Sequence, residues 1–143
     1  MKKFIVLFSI VIIIVAVVAF NYISYTNNQN EVKRYNLELG KNYQKEIYGI
    51  DLTTTINKVI NNNEKNNVEK DQQGRYINNN SDSINIDIKM IDLDRVFTME
   101  ELYNGGMEQF VQYYSNIQFK CTKIEYHKKT GKISYMYYEQ ITK

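Results

Sequence analysis

The run Phe4–Phe20, FIVLFSIVIIIVAVVAF, carries no charge, glycine or proline, and Lys2 and Lys3 stand directly before it. As a helix rising ~1.5 Å per residue it covers about 25 Å, and Asn21–Tyr25 extends it towards the ~30 Å of a bilayer's hydrocarbon core. A helix satisfies its own backbone donors and acceptors, which lipid cannot do, so the segment has the length and chemistry of a membrane span. Tyr22 and Tyr25 end it with amphipathic rings suited to the headgroup region. Residues 1–25 therefore read as a transmembrane anchor through which the chain contacts the lipid bilayer at residues 4–25.

A cleaved signal peptide shares this order of basic start, apolar core and small residues. Val17-Val18-Ala19 supplies a small-x-small tripeptide, so cleavage after Ala19 is the rival reading. The apolar run exceeds the ~7–15 residues of a signal core and continues past the cut, which favours a retained anchor. Cys121, the one cysteine, lies far from the N-terminus and excludes lipoprotein anchoring there. Lys2 and Lys3 flank one end, and no Lys or Arg follows until Lys33. The positive-inside rule then places the N-terminus in the cytoplasm and the C-terminal domain outside the cell membrane.

Beyond the anchor about 115 residues remain, enough for one compact domain. The chain holds 18 basic and 16 acidic residues. Setting Lys2 and Lys3 aside leaves the two signs balanced, which argues against nucleic acid, whose binding needs a positive field. It argues equally against a polybasic lipid-binding surface.

Residues 26–50 read as a membrane-proximal helical linker. Thr26–Asn30 is polar, and Val32, Tyr35, Leu39 and Tyr43 then recur at helical spacing, with Gly40 a weak point. Residues 51–143 read as an extracytoplasmic α+β domain. Asp51 is placed to cap a helix whose stripe is Leu52, Ile56, Val59, Ile60 and Asn63, and Asn61–Asn67 frays its end. Asp71-Gln72-Gln73-Gly74 reads as the turn of a small hairpin between Val68–Lys70 and Arg75–Ile77. Ile84, Ile86, Ile88 and Met90 alternate with Asn85, Asp87 and Lys89, the period of a half-buried strand, and Ile91 and Leu93 reverse the phase.

Thr98-Met99-Glu100-Glu101 matches a capping box, with Phe97 and Leu102 as a hydrophobic staple. One helix is expected to follow, in phase from Met99 to Tyr114; a break at Asn104-Gly105-Gly106 is the alternative. Phe119–Tyr126 and Lys132–Ile141 form a hairpin around His127–Gly131, and bulk on both faces of the second strand marks it as central or covered on both sides. The expected architecture is thus an N-terminal transmembrane helix followed by a small α+β domain with an antiparallel sheet and two or so helices.

The inventory of reactive groups is short, and an enzyme is not expected. One His cannot form a metal-binding pair, and one Cys has no CxxC partner. About 20 Å of extended chain separates Cys121 from His127, so a dyad would need a sharp bend; a buried Cys121 and a solvated His127 are the simpler readings. Asp87, Asp92 and Asp94 are candidate cation ligands, but no glycine follows them and no distant Glu completes a calcium loop. No cofactor or metal is expected.

Tyrosine, present 13 times, carries the functional hint. Tyr113, Tyr114, Tyr126, Tyr135, Tyr137 and Tyr138 cluster in the last third, and exposed tyrosines make the rigid amphipathic surface enriched at interfaces. They are the candidate interaction surface; packing of the sheet against a helix is the competing use.

An apolar N-terminal helix, a helical extension and a small sheet resemble the pilin and pseudopilin layout. The stretch YGIDLTTTINKVINNNEKN also looks like a segment of small uncharacterised, single-pass anchored proteins of AT-rich Gram-positive bacteria. That resemblance implies a bacterial exported protein accessory to a pilus-like or secretion assembly. No Gly precedes Phe4 and no Glu interrupts the apolar run, so prepilin cleavage and pilin polymerisation are not implied. The expected function is non-enzymatic: an exported interaction domain that contacts another membrane or envelope protein. The alternative is a tethered module that captures a glycan or peptide.

Overall fold

A computed structural model describes residues 2–141. It is α+β: the helix α1 (Lys2–Gly40), then β1 (Glu46–Tyr48), α2 (Gly49–Lys65), β2 (Asn85–Met90), β3 (Arg95–Thr98), α3 (Met99–Tyr114), β4 (Gln118–Tyr126) and β5 (Ile133–Gln140). The chain divides after Arg34 into two units. The first is helix alone, exposed along its apolar residues and long enough to cross a membrane. The polar stretch Thr26–Asn30 continues as helix.

The second unit begins within α1 at Tyr35. Here Asn36 accepts from the Ile133 N–H at 3.0 Å and donates to the Gly131 carbonyl at 2.8 Å, tying the end of α1 to the β4–β5 turn. Leu39 joins the core and Tyr35 packs against it. The helix stops at Gly40, the point of lowest helix propensity.

Five strands form one sheet in the order β1-β4-β5-β2-β3. The expected antiparallel sheet is corrected to a mixed one, because β2 pairs with β5 in parallel, Asn85 opposite Tyr135 and Asp87 opposite Tyr137. The connections explain it. α2 carries the chain from β1 over two strand positions to β2, α3 carries it from β3 to β4, and β5 fills the place left between β4 and β2.

One face of this sheet is covered. α2 lies over β1 and β4, α3 over β2 and β3, and the two helices touch. Ile86, Ile88 and Met90 from β2 meet Met136 and Tyr138 from β5, Phe119 and Cys121 from β4, and Leu52, Ile56, Val59 and Ile60 from α2. Burial of a single Leu or Ile side chain contributes about 1.5–3 kcal/mol, so this cluster is the domain's driving force. The other face is open. β5 is central, as expected, but it is not covered on both sides: Tyr135 and Tyr137 stand half-exposed there beside Asn85, Asp87 and Lys89. Tyr135 is held in that position by its hydroxyl, which donates to Asp87 at 2.8 Å.

Other local expectations are adjusted by long-range contacts. Asp51 is not the N-cap; β1, paired to β4, starts α2 at Gly49, with Tyr48 capping by backbone alone. The hairpin expected over 68–77 is a turn closed by one bridge, Lys70 to Tyr76. The fraying expected over Asn61–Asn67 is corrected, since α2 continues to Lys65; Asn63 is buried on the expected stripe and clasps the backbone of Ile84 from both sides, donating at 2.7 Å and accepting at 2.9 Å. The phase reversal at Ile91 and Leu93 is the turn into β3, a strand too short to register as a pattern.

Candidate functional site

α3 begins as its sequence dictates. Thr98 accepts from the Glu101 N–H at 3.3 Å while Glu101 accepts from the Thr98 N–H at 2.9 Å, closing the capping box. The expected uninterrupted helix is corrected at Gly106, whose φ of 112° and ψ of 85° are not helical. Only glycine adopts that conformation readily, so the alternative break at Asn104-Gly105-Gly106 holds. Beyond the break Phe110 stacks on Tyr114 with ring centroids 5.3 Å apart and tilts against Phe119 at 5.9 Å, fixing the second half of the helix to the core.

The kinked helix and the β2–β3 hairpin bound a cleft of 410 Å³. Met90, Phe97, Leu102 and Phe110 form its floor, Gly105 and Gly106 open one wall, and Leu93, Tyr113 and Tyr114 stand at its rim. Leu93 is 57 % exposed and Tyr113 70 % exposed, so the rim itself is apolar. Arg95 lies 4.5 Å over the Phe97 ring and pairs with Glu101 at 2.7 Å, joining β3 to α3 across the cleft. The two charges that line the cleft are thereby paired with each other. Largely apolar, it is suited to another apolar surface rather than to an ion.

A second, polar cleft of 490 Å³ opens where the 71–77 turn meets the sheet. Arg75, Asn85, Asp87, Glu100 and Tyr135 line it. The Tyr135 hydroxyl donates to Asp87 at 2.8 Å, and the Asp71 carboxyl, held below the ordinary carboxylate range chiefly by hydrogen bonding from the Arg75 backbone, sits beside Arg75. Buried Glu100 accepts from the Tyr76 N–H at 3.0 Å, and this hydrogen bond holds the turn in place.

The six candidate tyrosines do not share one surface. Tyr113 and Tyr114 meet at the apolar cleft; Tyr135 and Tyr137 stand together on the open sheet face. Tyr126, 55 % exposed, ends β4 at the pair with Ile133, and Tyr138, 1 % exposed, lies in the core beside Cys121. Leu93 and Phe97 were invisible as site residues in the sequence, the phase reversal at Leu93 being the one signal that an apolar side chain faces out there.

The reactive groups are dispersed. Cys121 is buried, its thiol pushed up to about 11 by burial, and its Sγ bonds the Lys123 carbonyl at 3.5 Å. His127 is 4 % exposed, not solvated: its Nε2 meets the Ser83 carbonyl at 2.7 Å, pinning the β4–β5 turn to the strand entry. Asp87, Asp92 and Asp94 each have a separate partner in Tyr135, Gln140 and Lys89. Among the described residues no three His, Cys, Asp or Glu side chains gather where a metal ion would fit. No protein-family model matches the chain, and no curated protein or solved structure is detectably similar to it.

Proposed function

We propose that this is a non-enzymatic, single-pass protein of the cell membrane whose extracytoplasmic domain docks a partner polypeptide from the membrane or envelope. In this reading the apolar helix spans the bilayer with its N-terminus in the cytoplasm, and the domain is accessory to a pilus-like or secretion assembly. The observation that carries the docking role is the largely apolar cleft between α3 and the β2–β3 hairpin, rimmed by exposed Leu93 and Tyr113. An aromatic and a branched aliphatic side chain at the mouth of an apolar cleft form the centre of an interface, where a few such anchors carry most of the binding energy. A photo-crosslinking residue at Tyr113 in intact cells is expected to capture a protein, and Leu93→Asp is expected to reduce the adduct about tenfold or more, a loss typical of an interface anchor. Equal adduct yield with and without Leu93→Asp would remove the cleft from the reading.

A tethered glycan-binding module is the second reading, favoured by the polar cleft, where Tyr135 and Arg75 converge with Asn85 and Asp87. Planar rings and amide groups of this kind stack on and hydrogen-bond to sugars. Retention on cell-wall glycan abolished by Tyr135→Ala, with Leu93→Asp without effect, would favour it over protein docking.

A further inference from the structure

We propose that Asn104 is a site of spontaneous deamidation, set by its place between the capped start of α3 and the kink at Gly106. Asn104 and Gly105 are both exposed, and Asn104 is the one asparagine of the chain that a glycine follows. A Cβ at Gly105 would meet nothing within 4 Å, and its φ is not positive. Neither packing nor backbone geometry therefore requires glycine there, and within a helix alanine is the more stable choice. The missing Cβ instead leaves the Gly105 nitrogen unshielded beside the Asn104 side chain. That nitrogen attacks the Asn104 Cγ, forming a C–N bond and a cyclic imide. The side-chain amide group leaves with the displaced proton as ammonia. Water then adds to either imide carbonyl and reopens the ring, giving aspartate or isoaspartate at position 104. Water is the sole co-reactant, and nothing is oxidised or reduced.

The helix has to yield for the ring to close. In an unbroken α-helix the Gly105 N–H is held by the Glu101 carbonyl one turn back. Here the helical run stops at Gly106, so that bond lies in a terminal turn, which opens more readily than the middle of a helix. The asparagine-rich loop offers no such freedom, because each nitrogen that would attack is already donating. The Asn79 N–H goes to the Ser83 hydroxyl at 2.9 Å, the Asn80 N–H to the Asn78 Oδ1 at 2.9 Å and the Ser81 N–H to the Asn79 Oδ1 at 3.0 Å. Asn116 precedes β-branched Ile117, whose N–H is held by the Tyr114 carbonyl at 3.0 Å. Both products set a carboxylate at the C-terminal end of the first helical piece, where the helix dipole disfavours it. Isoaspartate also adds a methylene to the backbone beside the kink. Gly105 and Gly106 form one wall of the apolar cleft, so the conversion falls on that wall.

The test incubates the full-length, detergent-solubilised chain in mildly alkaline buffer made with heavy-oxygen water, then maps the label by peptide mass spectrometry. Label is expected at position 104, about tenfold or more above any other asparagine, because the attacking nitrogens elsewhere are shielded or bonded. Gly105→Ala fits the open space, so the variant is expected to keep its urea midpoint while labelling at 104 falls about tenfold. Asn104→Gln is expected to carry no label there. Label in denaturant but not in the folded chain would overturn the proposal, since the helical turn would then protect Asn104. Equal labelling across Asn78–Asn80 and Asn104, or an unchanged rate in Gly105→Ala, would overturn it as well.

Discussion

Gly49 shows how one missing side chain fixes a junction. A Cβ there would fall on the Tyr114 carbonyl, so α2 can start beside the end of α3 because the residue is glycine. The Gly49 N–H then donates to Ile117 at 2.9 Å, closing the junction. Neither clashing element can yield, since Tyr114 is held by Phe110. Gly49→Ala is expected to cost about 3 kcal/mol, the upper range for overpacking, read as a lowered urea midpoint of the detergent-solubilised chain. Cys121 gives the complementary case of a reactive group made inert. With its thiol pushed up to about 11, chiefly by burial, it is expected to resist Ellman's reagent at pH 8 in the folded chain. It should react within minutes in denaturant; equal rates in both conditions would place Cys121 on the surface.

At the scale of elements, α2 and β2 are joined through Asn63. Its side-chain amide replaces a strand partner for the Ile84 N–H and carbonyl, so the buried backbone at the entry to β2 is satisfied by a helix. Asn63→Ala strands both groups and is expected to lower stability by about 2–3 kcal/mol. Asn63→Asp keeps the acceptor yet places a charge in a fully buried site, and the same denaturation measurement should show a loss at least as large. A neighbouring loop uses the same chemistry at the surface: the Asn79 Oδ1 accepts the N–H groups of Ser81, Asp82 and Ser83. Abundant asparagine thus reads as background in composition, while Asn36, Asn63 and Asn79 perform backbone work that only their surroundings reveal.

For the whole domain, pH is the variable that reports packing. Burial raises the phenols of Tyr35, Tyr76, Tyr135 and Tyr138 above their ordinary value, and the Cys121 thiol with them; at Tyr135 the hydrogen bond to Asp87 adds to the shift. A group whose folded value lies above its unfolded one contributes stability that is complete below the unfolded value. That contribution is lost as pH climbs through the folded value. The domain is therefore expected to lose stability from about pH 9 upward, where thiol and then phenol ionise in the unfolded chain. On the acid side Asp82 is lowered, chiefly by its hydrogen bond from Lys132, so its contribution is present above about pH 4 and lost below it. Circular dichroism of thermal melts between pH 3 and 11 should show a plateau between the two losses. The Tyr138→Phe variant should soften the alkaline one. A midpoint independent of pH above 9 would contradict the buried phenols.

Several local structures follow from local signals, though the expected Asp51 cap, the hairpin over 68–77 and the unbroken α3 do not form. The run Phe4–Phe20 makes a helix long and apolar enough to cross a membrane. A cap needs the hydroxyl of Thr98 and the carboxylate of Glu101 three positions apart, and the alternation Ile84 to Met90 sets which face of β2 is buried. Such features depend on neighbours along the chain, so sequence by itself determined them, including the place of Tyr113 and Tyr114 late in α3. What only the tertiary structure decided depends on neighbours across space. The parallel seam between β2 and β5, the edge at β3, the cleft completed by Leu93 and Phe97, the burial of His127 and the pairing of Asn63 with Ile84 all arise where distant segments meet. A periodic pattern shows which side of a strand is apolar but never which strand lies beside it.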